Sequence, residues 1–217
     1  MKPLAVGTWN FSGPLAERLA KCARAGFRWI ELRDGAAARA VSRVELAAHG
    51  LELSLFEENA ALSFDPAAFA CAAALGARFF LHATRDAAAL PSHVALASAH
   101  GLRSLVRASD PAASAHPELA VLWDSRDAER LALEAASLAP RIAYLRFRDG
   151  RGDEPTALGG GEVDLRGQMR ALREVVRALP FWGIDFEGCP QAEREARKAT
   201  GFLRELARAT ELTPPWI

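Results

Sequence analysis

The chain has 217 residues with 27 basic and 27 acidic side chains, and 50% of it is hydrophobic. That length and content suit one domain, residues 1–217, with a full core. A formal net charge of zero argues against nucleic acid or an anionic membrane as partner. Cys22, Cys71 and Cys189 lie far apart with no Cys-x-x-Cys spacing, which argues against a disulfide framework or zinc knuckle and for a reducing compartment. No run approaches the ~18 apolar residues of a membrane span, and the first nine residues are too short for a signal peptide, so the expected location is the cytoplasm.

Strand-like and helix-like segments alternate along the chain. Residues 4–11 read as a first strand, and Gly13-Pro14 opens a helix that Gly26 closes. A second strand over 27–33 precedes a helix over 36–49. A third strand over 51–57 precedes a helix from Asp65-Pro66 to Gly76. A fourth strand spans 77–83, with a helix near 92–100, and a fifth spans 102–109. Only Pro111 to Pro117 separates that strand from the sixth, over 119–124, so this unit is shortened. A helix over 128–138, a seventh strand over 141–148, a helix over 165–179, an eighth strand over 182–187 and a helix over 191–208 complete the series. Eight βα units without a break in composition predict a compact α/β fold, a (β/α)8 barrel.

Side-chain parity adds detail. Leu51, Leu53 and Leu55 share one face of the third strand, opposite Glu52 and Ser54. Leu145 and Phe147 oppose Tyr144, Arg146 and Arg148, and Ile184 and Phe186 oppose Asp185 and Glu187. Apolar members are expected against helices and polar ones in the lumen, with the last residue of each strand at the C-terminal mouth, where barrels of this kind place active sites. This reasoning puts Glu31, Arg33, His82, Arg107, Asp124, Arg146, Arg148 and Glu187 there. Glu57 and Glu58 read instead as loop or helix-start charges. Gly159-Gly160-Gly161 reads as a tight turn before a helix N-cap at Asp164, with a phosphate contact as the alternative.

Four stretches carry a resemblance: Val121-Leu122-Trp123-Asp124, Tyr144-Leu145-Arg146-Phe147-Arg148-Asp149, Leu158-Gly159-Gly160-Gly161-Glu162-Val163-Asp164, and Gly183-Ile184-Asp185-Phe186-Glu187. In this order and spacing the chain resembles the xylose isomerase-like TIM barrels, which include sugar-phosphate isomerases and epimerases. The resemblance implies one divalent metal held by Glu, Asp, His and Glu from strands five to eight. Asp124 and Glu187 match two of these ligands, whereas Arg107 and Arg146 stand in the places of the other two.

An arginine offers no lone pair and keeps its proton. A dication ~4 Å from one guanidinium is repelled by roughly 8 kcal/mol at an effective dielectric of ~20, as much as micromolar binding supplies. The expectation is therefore no metal and no other cofactor, with ion pairs Arg107–Asp124 and Arg146–Glu187 in its place. Those guanidiniums either only neutralise the lumen or grip an anionic sugar, such as a sugar phosphate or sugar acid, with Asp124, Arg148, Arg33, His82 and Glu31 as further binding residues. If chemistry survives, it is sugar isomerisation or epimerisation by proton transfer, with Glu187 as base and Arg146 and Arg107 as electrophiles. The alternative is a non-catalytic binding protein derived from that family. The family's endonuclease relatives use many histidines and a basic surface, which this neutral chain with 5 histidines lacks.

Overall fold

A computed structural model describes residues 4–61, 64–83, 88–127, 135–180 and 182–210. Eight parallel strands close into a barrel: β1 (Leu4–Gly7), β2 (Trp29–Arg33), β3 (Glu52–Glu57), β4 (Phe79–Leu81), β5 (Arg103–Arg107), β6 (Ala120–Asp124), β7 (Ile142–Phe147) and β10 (Trp182–Ile184). Two short antiparallel strands, β8 (Asp149–Arg151) and β9 (Glu154–Thr156), form a hairpin beyond β7. The helices are α1 (Leu15–Arg24), α2 (Ala36–Ala40), α3 (Arg43–Ala48), α4 (Ala67–Ala74), α5 (Leu90–Ala99), α6 (Pro111–Ala115), α7 (Ala135–Leu138), α8 (Leu165–Ala171), α9 (Arg173–Ala178) and α10 (Ala192–Ala209). Among the described residues, no helix is long and apolar enough to cross a membrane.

The expected βα order is present, with local differences. The chain leaves β1 at Gly7 and enters a 3-10 turn over Thr8–Asn10, which brings Trp9 over the barrel mouth. The helix expected over 36–49 is two helices, because Val41 is extended and the Ser42 hydroxyl caps α3 by accepting from Glu45 N–H. The shortened fifth unit is the five-residue α6, capped by Asp110. The hairpin was not anticipated: its turn, at Gly152 with φ +53, follows a strand of three residues, too short for periodicity to reveal. Most of the helix expected over 128–138 lies outside the described residues.

Two apolar layers follow from strand parity. The larger packs the outward faces of the strands, among them Ile30, Leu53, Phe56, Val106, Trp123, Leu145 and Phe147, against the helices. The smaller fills the lower lumen with Ala5, Trp29, Leu55, Phe79, Leu81, Leu105, Leu122, Ala143 and Tyr144. Leu55 therefore points opposite to the expected direction. The β2–β3 register shifts, with Ile30 opposite Leu53 and Glu31 opposite Leu55, so Ser54 is an extra residue in the ladder. The Ser54 hydroxyl lies 2.8 Å from the Ile30 carbonyl and donates to it. Beyond this bulge the parity of β3 is inverted, and both Leu55 and Glu57 turn into the barrel.

Candidate functional site

Above the apolar floor the lumen holds interlocked charges from six of the eight barrel strands or the residues just beyond them. Arg146 from β7 is 1% exposed and donates to Glu31 on β2 at 2.6 Å and to Glu57 on β3 at 3.0 Å. Tyr144 donates its hydroxyl to the other Glu31 oxygen at 2.8 Å and lies 3.2 Å from the Ser54 hydroxyl. Gly183 makes room for this packing, since a Cβ there would overlap the Glu31 carboxylate and the Tyr144 ring. Higher up, Arg107 donates to Glu57 at 2.7 Å and stands 3.8 Å from Asp124. Arg148 lies 3.4 Å from Asp124 and 3.5 Å from Asp185. Arg33 grips Glu187 with two parallel hydrogen bonds of 2.8 Å each. Trp9 donates to Asp185 at 2.9 Å, and the Arg33 guanidinium lies over its ring at 4.5 Å.

These contacts correct part of the expected pairing. Arg146 reaches across the axis to Glu31 and Glu57 and is not paired with Glu187, whose partner is Arg33. Arg107 keeps Asp124 within ion-pair range but hydrogen-bonds to Glu57. Glu57 is thus the central carboxylate of the site and not a loop charge; the bulge at Ser54 hid it from a parity argument. Glu31 is fully buried at the base of the cluster rather than presented to a ligand.

His82 belongs to the outer layer: its Nε2 is 2.9 Å from the Ser104 hydroxyl, and its ring packs against Phe69, Phe80 and His93. The mouth itself is edged by Arg33, Arg107, Arg148 and Glu187, whose side chains are 30%, 31%, 22% and 43% exposed.

Electrostatics follow the geometry. Burial pushes the Glu57 carboxyl upward, but Arg146, Arg107 and Arg33 outweigh it and hold it below the ordinary range. The Arg33 fork likewise holds Glu187 low. Burial dominates at Glu31 and raises it, against the pull of Arg146 and the Tyr144 hydrogen bond. Arg33, Arg107, Arg146 and Arg148 face Glu31, Glu57, Asp124, Asp185 and Glu187, a formal charge of −1.

The glycine-rich segment after the hairpin has its own explanation. Asp149 accepts backbone N–H bonds from Gly150, Gly159, Gly161 and Val163, and a Cβ at Gly161 would collide with that carboxylate. Asp164 caps α8 through Gly167 N–H at 2.8 Å, as expected. Within Gly159-Gly160-Gly161, the amides of Gly159 and Gly161 therefore point to a side chain of the protein.

The residues at the mouth do not fit the divalent metal that the resemblance implies. Guanidiniums occupy two of the four ligand places, and Asp124 and Glu187 each face an arginine. Among the described residues, no group of three His, Cys, Asp or Glu side chains is arranged to hold a metal ion.

A closed (β/α)8 barrel with a polar cluster at its C-terminal mouth defines the class of fold. No protein-family model matches the chain, and no curated protein matches it. Solved structures do. An L-ribulose 3-epimerase superposes with a TM-score of 0.73 at 18% identity, covering 100% of both chains. A 3-keto-D-glucoside 4-epimerase from E. coli gives 0.70 at 11% identity, over 94% of this chain and 100% of that one. A protein that fuses a xylose isomerase-like TIM barrel to a 4-hydroxyphenylpyruvate dioxygenase gives 0.72 at 20% identity over 100% of this chain, which spans 46% of that protein. The chain shares the fold of the xylose isomerase-like TIM barrels.

Proposed function

We propose that the barrel mouth is a metal-free site for a small phosphorylated or acidic sugar, with Glu187 placed to move a proton in isomerase or epimerase chemistry. The observation that carries this reading is the Arg33–Glu187 pair. It is the most exposed of the cluster's hydrogen-bonded pairs, and it joins a carboxylate base to a five-donor guanidinium. A ligand oxygen that takes the Arg33 fork releases Glu187. Glu187 then removes the proton from the hydroxyl-bearing carbon beside a carbonyl, and the electron pair moves onto the carbonyl oxygen. Arg33 and Arg107 stabilise the resulting enediolate. Isomerisation is completed when the hydroxyl proton passes to that oxyanion and Glu187 returns its proton to the former carbonyl carbon, and epimerisation when water protonates the original carbon from the opposite face. Arg146, being buried, acts from below by fixing Glu57 and through it Arg107.

One observation favours a second reading, a non-catalytic sugar-binding barrel: every carboxylate of the cluster lies within ion-pair range of an arginine, and a carboxylate held low is a weak base. The known activities of the fold's epimerases support the first reading by analogy of fold alone. Deuterium exchange from heavy water into a panel of ketoses, sugar phosphates and sugar acids separates the two. Exchange that disappears in Glu187→Gln supports the enzyme, whereas binding without exchange across the panel supports the binding protein.

A further inference from the structure

The charges of the mouth are engaged with one another and sum to −1, so a doubly charged phosphoryl group is better seated beside the mouth than in it. Next to them lies a cavity of about 780 Å³, between the 3-10 turn after β1 and the start of α10. That volume is ample for a pentose or hexose phosphate. Trp9 and Glu187 belong both to its lining and to the mouth, and Arg18, Arg194 and Arg197 also line it.

Its charge has the opposite sign. The only carboxylate lining it besides Glu187 is Glu193, which is already paired with Arg197 at 2.7 Å and with Lys21 at 3.4 Å. Glu187 is held by Arg33 and Arg194 stands 3.9 Å from Glu195; the remaining lining has two guanidiniums, Arg18 and Arg197, against one carboxylate. Arg18 is the best placed of them. Its Nε donates to the Gly13 carbonyl at 2.6 Å, which fixes the plane of the guanidinium, while its two terminal nitrogens make no hydrogen bond among the described residues. A guanidinium anchored at Nε with an open fork is prepared for a two-point contact with a phosphoryl group.

We infer that this cavity is a phosphate-monoester subsite, with Arg18 as its principal ligand and Arg197 and Arg194 at its rim. A net positive lining with an open guanidinium fork suits the several oxygens of a phosphoryl group. The inference rests on the proposed function for the rest of the ligand: with the phosphoryl group against Arg18, the sugar runs past Trp9 to Glu187 and Arg33.

The test begins with inorganic phosphate titrated into the full chain by calorimetry at low ionic strength, with the amides of Gly188 and Gln191 followed by NMR. The expected result is saturable binding that shifts both amides and weakens by about tenfold or more in Arg18→Gln, as loss of a charge-assisted pair predicts. The exposed Arg197→Gln weakens it less. Absence of phosphate binding by the unaltered chain overturns the inference. So does binding that survives Arg18→Gln and is lost in Arg107→Gln, since the anion then sits in the mouth. A second arm keeps the two readings apart. If a sugar phosphate and its dephosphorylated sugar bind equally well, the sugar site stands and the subsite falls; if phosphate binds through Arg18 and no sugar binds, the subsite stands and the proposed function falls.

Discussion

Arg146 and Glu57 meet 3.0 Å apart from strands that stand opposite each other, four places apart in the ring of eight. A third partner, Glu31, closes on the same nitrogen at 2.6 Å. The pair spans the barrel, and Arg107 and Arg33 also close on Glu57.

Because all three side chains are buried, removing the cation leaves Glu31 without its counter-charge and Glu57 with only Arg107 and Arg33 beside it. Arg146→Met is expected to destabilise the protein by about 3–5 kcal/mol in denaturant unfolding at neutral pH. The deficit shrinks as pH falls and Glu31 and Glu57 protonate. A deficit that is independent of pH would mean that packing, not charge, is what Arg146 supplies.

Arg33 is expected to control the ionisation of Glu187. The fork holds the Glu187 carboxyl below its ordinary value of 4.5, so the stabilisation this pair contributes is present above that pH and is lost as pH falls through the lower folded value. In Arg33→Gln the carboxyl pKa of Glu187, followed by carbon NMR, rises toward 4.5 or above. An unchanged value would remove Arg33 from the account of the site.

His82 makes a separate acid-sensitive contribution. Burial, then the nearby His93, pushes its pKa from 6.5 down to about 4, so the unfolded chain takes up a proton that the folded chain refuses over that interval. Stability is full above 6.5 and falls by on the order of 3 kcal/mol as pH drops to 4. His82→Asn, which keeps a hydrogen-bonding group beside Ser104, flattens the difference in that window. A variant with the same acid limb as the unaltered chain would contradict this.

A Cβ at Gly183 would meet the buried cluster, overlapping the Glu31 carboxylate and lying 2.7 Å from the Tyr144 ring. Gly183→Ala is expected to cost about 1–3 kcal/mol through overpacking, visible as a lower Tm, because the new methyl displaces the Glu31 carboxylate and Tyr144.

The sequence made the barrel legible because each βα unit carries its own punctuation: glycines at positive φ close α1, α3, α4 and α5 at Gly26, Gly50, Gly76 and Gly101, and apolar runs mark the strands between. Arg33, Arg107, Asp124, Arg146, Arg148 and Glu187 lie in the lumen or at its mouth as parity expects, because the irregularity at Ala143, between β6 and β7, precedes the stretch of β7 from which Arg146 and Arg148 are counted. Glu57 and His82 depart from their expected places. Glu57 follows a bulge that inverts parity, and the only local sign of it is a serine in an apolar run. His82 lies one residue past β4, whose three-residue span gave a parity argument too little to count from. Partners across the barrel were beyond a reading by neighbouring strands, which is why Arg146 was matched with Glu187 and not with Glu57.

The claim beneath all of this is that guanidiniums balance the acids of the mouth where the fold's relatives are expected to hold a dication. Manganese titration of the purified chain, read by electron paramagnetic resonance and by anomalous scattering from soaked crystals, tests it directly. The account predicts no manganese at the mouth at millimolar concentration, and new binding only when Arg107 and Arg146 are replaced by Glu and His. Manganese coordinated by Asp124 and Glu187 in the unaltered chain would contradict it.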